Sequence, residues 1–312
     1  VTPLTTASSG TYYCIVSDDV PENNINSDTA ELVIAEHIQF VNNLPAVKYA
    51  PYNEPLTLSV SVSGGLGNLN YEWWFNDGSG YVQIGSNSST IDLGNPTSAD
   101  TGLYYVHVFD EREELQSTIC QVYVGEDLAI TQQPQEVLMY IGEFPNFQLN
   151  VQTTDGFGNK QYTWYRDTGP APGINTEAVY VSPPLDPSLS GNYWVEVRDE
   201  KDIVQSEQAR VVIGSHAEFI RQPTGGTATE GDTWRFEVEV TGGLLELHYQ
   251  WKFQPLGKGK EVQNIGTDSP VLEITEISSD DAGLYWVEVT DARETVSSNQ
   301  VILNVEKGIP LV

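Results

Sequence analysis

Short runs in which apolar and polar residues alternate recur along the whole chain, among them "LTLSVSVSG" from Leu56, "FQLNVQT" from Phe147 and "WRFEVEVTG" from Trp234. A period of two places every second side chain on one face, so each run predicts a β-strand with one buried side. Clusters of Gly, Pro, Asn, Asp and Ser break the chain between runs, and no stretch carries the 3.6-residue apolar period of a helix. Six or more such strands in every ninety or so residues can bury their apolar faces only against one another. The pattern predicts an all-β protein of two-sheet sandwiches.

The runs belong to repeats. Tryptophans in matching contexts, "YEWWF", "YTWYR" and "YQWKF", place Trp73, Trp164 and Trp251 at intervals of 91 and 87 residues. A second motif follows each of them, "DTGLYYVHVFD", "LSGNYWVEVRD" and "DAGLYWVEVTD", and also opens the chain as "SSGTYYCIVSD". Its tyrosines, Tyr12, Tyr104, Tyr193 and Tyr285, are spaced by 92, 89 and 92 residues. The 312 residues therefore hold three complete units and one that is only an ending.

Together these features resemble immunoglobulin-type domains, in which a core tryptophan on one strand precedes a tyrosine corner leading the penultimate strand. The resemblance covers nearly the whole chain. It implies tandem immunoglobulin-like β-sandwich domains in an extended rod: the last two strands of a domain in residues 1–35, full domains at 36–125, 126–214 and 215–306, and the start of a further unit or a linker at 307–312. Trp73, Trp164 and Trp251 would fill the sandwich centres, and the four tyrosines would bond back to the backbone. The two bridging cysteines of the family would fall at Val60 and Val106, Val151 and Val195, and Val238 and Val287, so each pair is replaced by valine. A bridge closing a loop of that size would add roughly 4 kcal/mol, which packing must supply here. Cys14 alone occupies a bridging position and has no partner in its visible unit, while Cys120 reads as a free core or edge thiol. In the unit around Tyr193 the acid of the corner is replaced by Leu189, so the turn bond offered by Asp100 and Asp281 is lost. Such bridge-free units are closest to the repeats of large secreted bacterial surface proteins. Linkers of three or four residues leave little freedom between units, and each unit adds on the order of 30 Å of length. The incomplete first unit suggests an internal window of a longer array, with other strands, from upstream or from another chain, covering Tyr12 and Ile15.

Charge and chemistry narrow the function. Asp and Glu number 44 against 14 Lys and Arg, a net charge of −30 that disfavours nucleic acids and anionic membrane surfaces. No apolar run is long enough to span a bilayer as a helix. His37, His107, His216 and His248 are scattered without metal-ligand spacing, and His37 and His216 are expected to be solvated near the linkers. No nucleophile elbow or phosphate loop is present, and "SGGLG" from Ser63 reads as a turn after a strand. The chain is therefore expected not to be an enzyme and to need no cofactor.

Two surface features remain. Alternation points Trp74 outward beside the buried Trp73, and makes the outward position of the tyrosine-bearing strand aromatic in every unit: Tyr13, Tyr105, Trp194 and Trp286. Neighbouring strands would pair Trp74 with Tyr105, Tyr165 with Trp194, and Lys252 with Trp286, the last as a cation-π contact. The result is either cross-strand pairing or an interaction stripe. Acids also gather where domains should meet, Asp100, Glu126, Asp127, Asp155, Asp199, Glu200 and Asp202, which would allow calcium to stiffen a junction. Asn87 begins the sequon Asn87-Ser88-Ser89. The expected function is an extracellular, cell-surface structural or adhesive array, or a filament component, whose partners are other copies, other surface proteins or glycans. The alternative is a glycan-binding module attached to a secreted enzyme.

Overall fold

The computed structural model describes residues 4–20, 22–174, 176–257 and 259–308; most of the segment 307–312 read as a further unit lies outside them. The chain forms two compact units. One comprises Val1–Ala129 with Thr154–Lys160 and Arg198–Asp202, the other Ile130–Thr153, Gln161–Val197 and Ile203–Val312.

In the first unit the tryptophan-bearing run becomes the strand Asn70–Asn76, which pairs antiparallel with Tyr81–Ile84 on one side and Gly102–Phe109 on the other. Gly102–Phe109 then pairs with Cys120–Gly125, which runs parallel to Val47–Pro51. The facing layer is made of pairs: Thr57–Ser59 with Thr90–Asp92, and Ser61–Ser63 with Gln39–Asn42. Strict alternation of buried and partly exposed positions along Gly102–Phe109 puts Tyr104, Val106 and Val108 inward. Their core also holds Trp73, Leu58, Ile91 and Val122. The second unit repeats this plan twice, around Trp164 with Gly191–Arg198 and around Trp251 with Gly283–Thr290. Tandem immunoglobulin-like sandwiches are thus the fold, as the repeat pattern predicts.

Details of the pattern hold at the level of single atoms. Trp73, Trp164 and Trp251 are fully buried, and each indole N–H donates to a backbone carbonyl, that of Ser88, Glu177 or Ser269. A buried indole needs such an acceptor to avoid a desolvation cost. All four corner tyrosines donate to the carbonyl four residues back, Tyr12 to Ser8, Tyr104 to Asp100, Tyr193 to Leu189 and Tyr285 to Asp281. The valines standing in for bridging cysteines are all buried, and Cys120 is a free buried thiol whereas Cys14 is exposed.

The corner around Tyr193 departs from expectation. Asp100 and Asp281 close their corners by accepting from the backbone N–H groups of Thr97 and Ser278. Leu189 cannot, but the acid has moved rather than vanished: Asp186 accepts from the Ser188 N–H at the start of the same turn. The opening hairpin pairs Gly10–Tyr12 with Ala30–Leu32, and Tyr12 and Ile15 are 51% and 53% exposed.

Candidate functional site: an aromatic sheet face and carboxylate-centred turns

The outward side of the first unit's large sheet is aromatic. Trp74 lies directly opposite Tyr105 on one neighbouring strand and Gln83 on the other. Its ring is stacked on Tyr105 at 6.3 Å, Tyr81 meets Tyr105 edge-on at 5.0 Å, and His107 tilts against Tyr105 at 5.2 Å. The Trp74 indole N–H is buried without an acceptor among the described residues. Tyr165 and Trp194 make the corresponding stack in the second unit, at 4.3 Å and 14°. The third sandwich differs at this position. Trp286 sits opposite Lys252 in register but is only 8% exposed, and the Lys252 ammonium pairs with Glu288 at 3.0 Å. The expected cation-π contact is replaced because a carboxylate on the same strand offers the ammonium a stronger partner than the ring does. Tyr13 is exposed on the opening hairpin.

The second feature has its signal in the sequence, since each tyrosine motif ends in Asp, but its partners are distant in the chain. Asp110 Oδ1 accepts from the N–H groups of Arg112 and Glu113, and Oδ2 from Leu66 of another loop. Asp199 accepts likewise from Lys201, Asp202 and Phe157, and Asp291 from Arg293, Glu294 and Leu244. Asp18 accepts from Val20. Three donors converging on one carboxylate favour its charged form. The carboxyl of Asp110 is held below its ordinary value first by the Leu66 bond. At Asp199 and Asp291 burial works to raise the value, and the hydrogen bonds together outweigh it.

Around Asp110, Asp199 and Asp291 the turn grips the segment that enters the sandwich. Glu113 binds His37 Nδ1 at 2.8 Å and the Ile38 N–H at 2.6 Å; Glu294 does the same to His216 and Ala217 at 2.9 and 3.0 Å. The remaining turn has Asp127 where the others have His37 and His216, and there Lys201 bridges Asp127 and Asp202. Substituting an acid for histidine would leave two carboxylates facing each other, and the lysine cancels that repulsion. Gly64 and Gly242, at φ +78° and +75°, let the loop backbone touch the carbonyls of His37 and His216, where a Cβ would clash at 2.1 and 2.2 Å. Where Thr154 takes their place, its hydroxyl donates instead to the Asp127 carbonyl.

In the second unit the turn also grips a strand of the other sandwich. The Tyr140 hydroxyl donates to the Asp291 carboxylate, at 2.9 Å from both oxygens. His216 stacks on the Tyr140 ring at 4.0 Å, and the Arg293 guanidinium lies 5.1 Å from it on the way to Glu143 and the Leu138 carbonyl. In the first unit Tyr49 plays a related part: it donates to Glu200 at 2.9 Å and packs against Phe157 and Tyr123. His37 and His216 are exposed, as expected for residues near the linkers, and each also pairs with a glutamate.

The same bonds account for five of the seven acids assigned to calcium, Asp100, Asp127, Asp199, Glu200 and Asp202. Asp127, Asp199 and Asp202 are occupied by backbone N–H groups and Lys201, Asp100 by its own turn, and Glu200 by Tyr49. Among the described residues no group of three or more His, Cys, Asp or Glu side chains is placed to hold a metal. Asn87 of the sequon is engaged as well, accepting from the Tyr71 N–H and donating to Asn70; Asp268 holds Tyr249 and His248 in the same way.

The exposed His37–Glu113 pair makes a pH prediction. Hydrogen bonding to Glu113 raises the His37 value above its ordinary 6.5. A raised folded value means that the pair's contribution is full below pH 6.5 and fades as pH rises through the folded value. An NMR titration should show His37 titrating above 6.5, and Glu113→Gln should bring it back; an unchanged midpoint would contradict the pairing.

No family model matches the chain. Among solved structures, the chain is similar to the N-terminal eight immunoglobulin domains of Down Syndrome Cell Adhesion Molecule isoform 1.30.30, at TM-score 0.57 and 15% identity over 96% of this chain and 40% of that one. Extracellular domains 3–5 of Drosophila OTK match at 0.46 and 16% identity, over 86% and 97%. The three N-terminal domains of the bacteriophage RB49 outer capsid protein Hoc match at 0.43 and 18%, over 86% and 100%.

Proposed function

We infer that this chain, a tandem of immunoglobulin-like sandwiches, works outside the cell as a non-enzymatic structural or adhesive array, with sandwich domains at 36–125, 126–214 and 215–306 serving as spacers and contacts. The observation that carries the reading is the Asp291 clasp, which binds its own turn, a neighbouring loop and Tyr140 of the adjoining sandwich. A purely solvated linker would need none of these bonds. The fold likeness to a molecule named for cell adhesion points the same way. Disulfide-free cores fit the secreted surface repeats that the sequence resembles. The partners are surface proteins or glycans, met through the outward aromatic faces. Antibody raised against the chain should label intact, unpermeabilised source cells or particles. Labelling only after permeabilisation would overturn the reading.

A further inference from the structure

We propose that the outward sheet face of the first unit binds a neutral oligosaccharide, a step that rests on the reading of the chain as an extracellular contact array. The rings of Trp74, Tyr81, Tyr105 and His107 form one connected cluster on this face, with Tyr81 39% exposed at its edge. Further along the sheet, Tyr123 stacks on Tyr49 and is 42% exposed. Amides stand among the rings: Gln83 lies opposite Trp74, and Asn76, Gln116 and Gln121 lie opposite Tyr81, His107 and Leu103, each of these three keeping one end of its carboxamide for a sugar while the other bonds within the protein. A groove of about 180 Å³, lined by Asn70, Glu72, Gln83, Asn87 and Phe109 among others, opens beside the cluster.

That combination matches a sugar. A pyranose presents an apolar C–H face, which an aromatic ring covers, and a rim of hydroxyls that both donate and accept, as a carboxamide does. The site is shallow compared with a small-molecule pocket, which suits a chain of sugars lying across a sheet better than one enclosed ligand.

Charge decides among other occupants. None of the outward strand positions of this face is Lys or Arg, while Glu72 and Glu114 are acids. An acidic or sulfated glycan would meet no countercharge, and a second copy would bring another net charge of −30 against this one. The other two sheets differ: Arg210 lies on the strand Ala209–Gly214 of one, and on the other Lys252 is paired with Glu288 beside the buried Trp286. The site is therefore assigned to the first unit alone.

The test is binding of the intact chain to an array of neutral and acidic glycans, followed by calorimetry with neutral hexasaccharides of glucose, mannose and N-acetylglucosamine. Saturable binding to a neutral sugar, little changed by salt, is expected. Tyr81→Ala and Gln83→Ala should each weaken it by roughly fivefold or more, with the thermal midpoint within a few degrees of the parent, while Trp286→Phe leaves affinity unchanged. Absence of binding to every neutral glycan overturns the proposal, as does salt-sensitive binding confined to acidic ones. Self-association that Tyr81→Ala abolishes, seen by sedimentation without sugar binding, overturns it in favour of a second copy. Any of these failures with surface labelling intact leaves the array function standing; loss of external labelling with sugar binding retained does the reverse.

Discussion

Replacing Asp291 with alanine is expected to destabilise the second unit by on the order of 3 kcal/mol. The carboxylate is buried and receives the N–H groups of Leu244, Arg293 and Glu294 as well as the Tyr140 hydroxyl. A buried donor left without a partner costs roughly 1–3 kcal/mol, and hydrogen bonds to a charged group are the stronger kind. The losses will not add in full, because a freed turn can relax and water can enter. Denaturant unfolding of the intact chain measures the difference. Its pH dependence has a definite sign. The Asp291 value is lowered from 3.8 in the folded state, so its contribution is complete above 3.8 and is lost as pH falls through the lower folded value. The gap between parent and variant should therefore be full at neutral pH and close in strong acid. A gap that widens on acidification would contradict the assignment.

Trp251→Ala is expected to cost more, roughly 3–5 kcal/mol, as large-to-small substitutions of buried aromatics do. The side chain is fully buried, packs against Phe236 at 5.9 Å between ring centres, and gives its indole N–H to Ser269 at 3.0 Å. Removal leaves a cavity among Phe236, Val287 and Leu272 and an unpaired carbonyl. No disulfide joins Val238 to Val287, so nothing covalent holds the two layers around the cavity. For a sandwich of this size the loss is comparable to much of its whole stability. Calorimetric unfolding should show the corresponding transition shifted strongly down, and a shift equivalent to less than 1 kcal/mol would mean the tryptophan is not a core residue.

The fold was legible because it is written in periods. Alternation fixes which side of each strand is buried, and the recurrence of Trp73, Trp164 and Trp251 fixes the repeat. Outward placement of Trp74 and Tyr105 followed from the same parity. That Trp286 is covered did not, since the fate of Lys252 depends on Glu288, a choice between partners that spacing alone leaves open. The turn aspartates were visible in all four motifs, but their role lies in bonds to Leu66, Phe157 and Leu244, each more than forty residues away in the chain. The exchange of histidine for Asp127 with Lys201 as compensation is likewise a pairing of distant positions. Acid density at those positions suggested a cation; geometry shows them occupied by backbone N–H groups and lysine.

A turn carboxylate joins one sandwich of the second unit to the next, and a double-mutant cycle between Tyr140→Phe and Asp291→Ala measures that link. Tyr140→Phe removes the hydroxyl and little else, and the two groups meet at 2.9 Å. Unfolding free energies of the parent, the two single variants and the double variant should give a coupling of about 1.5–3 kcal/mol, the worth of a hydrogen bond to a charged group. Additive effects, with coupling below about 0.5 kcal/mol, would contradict the clasp.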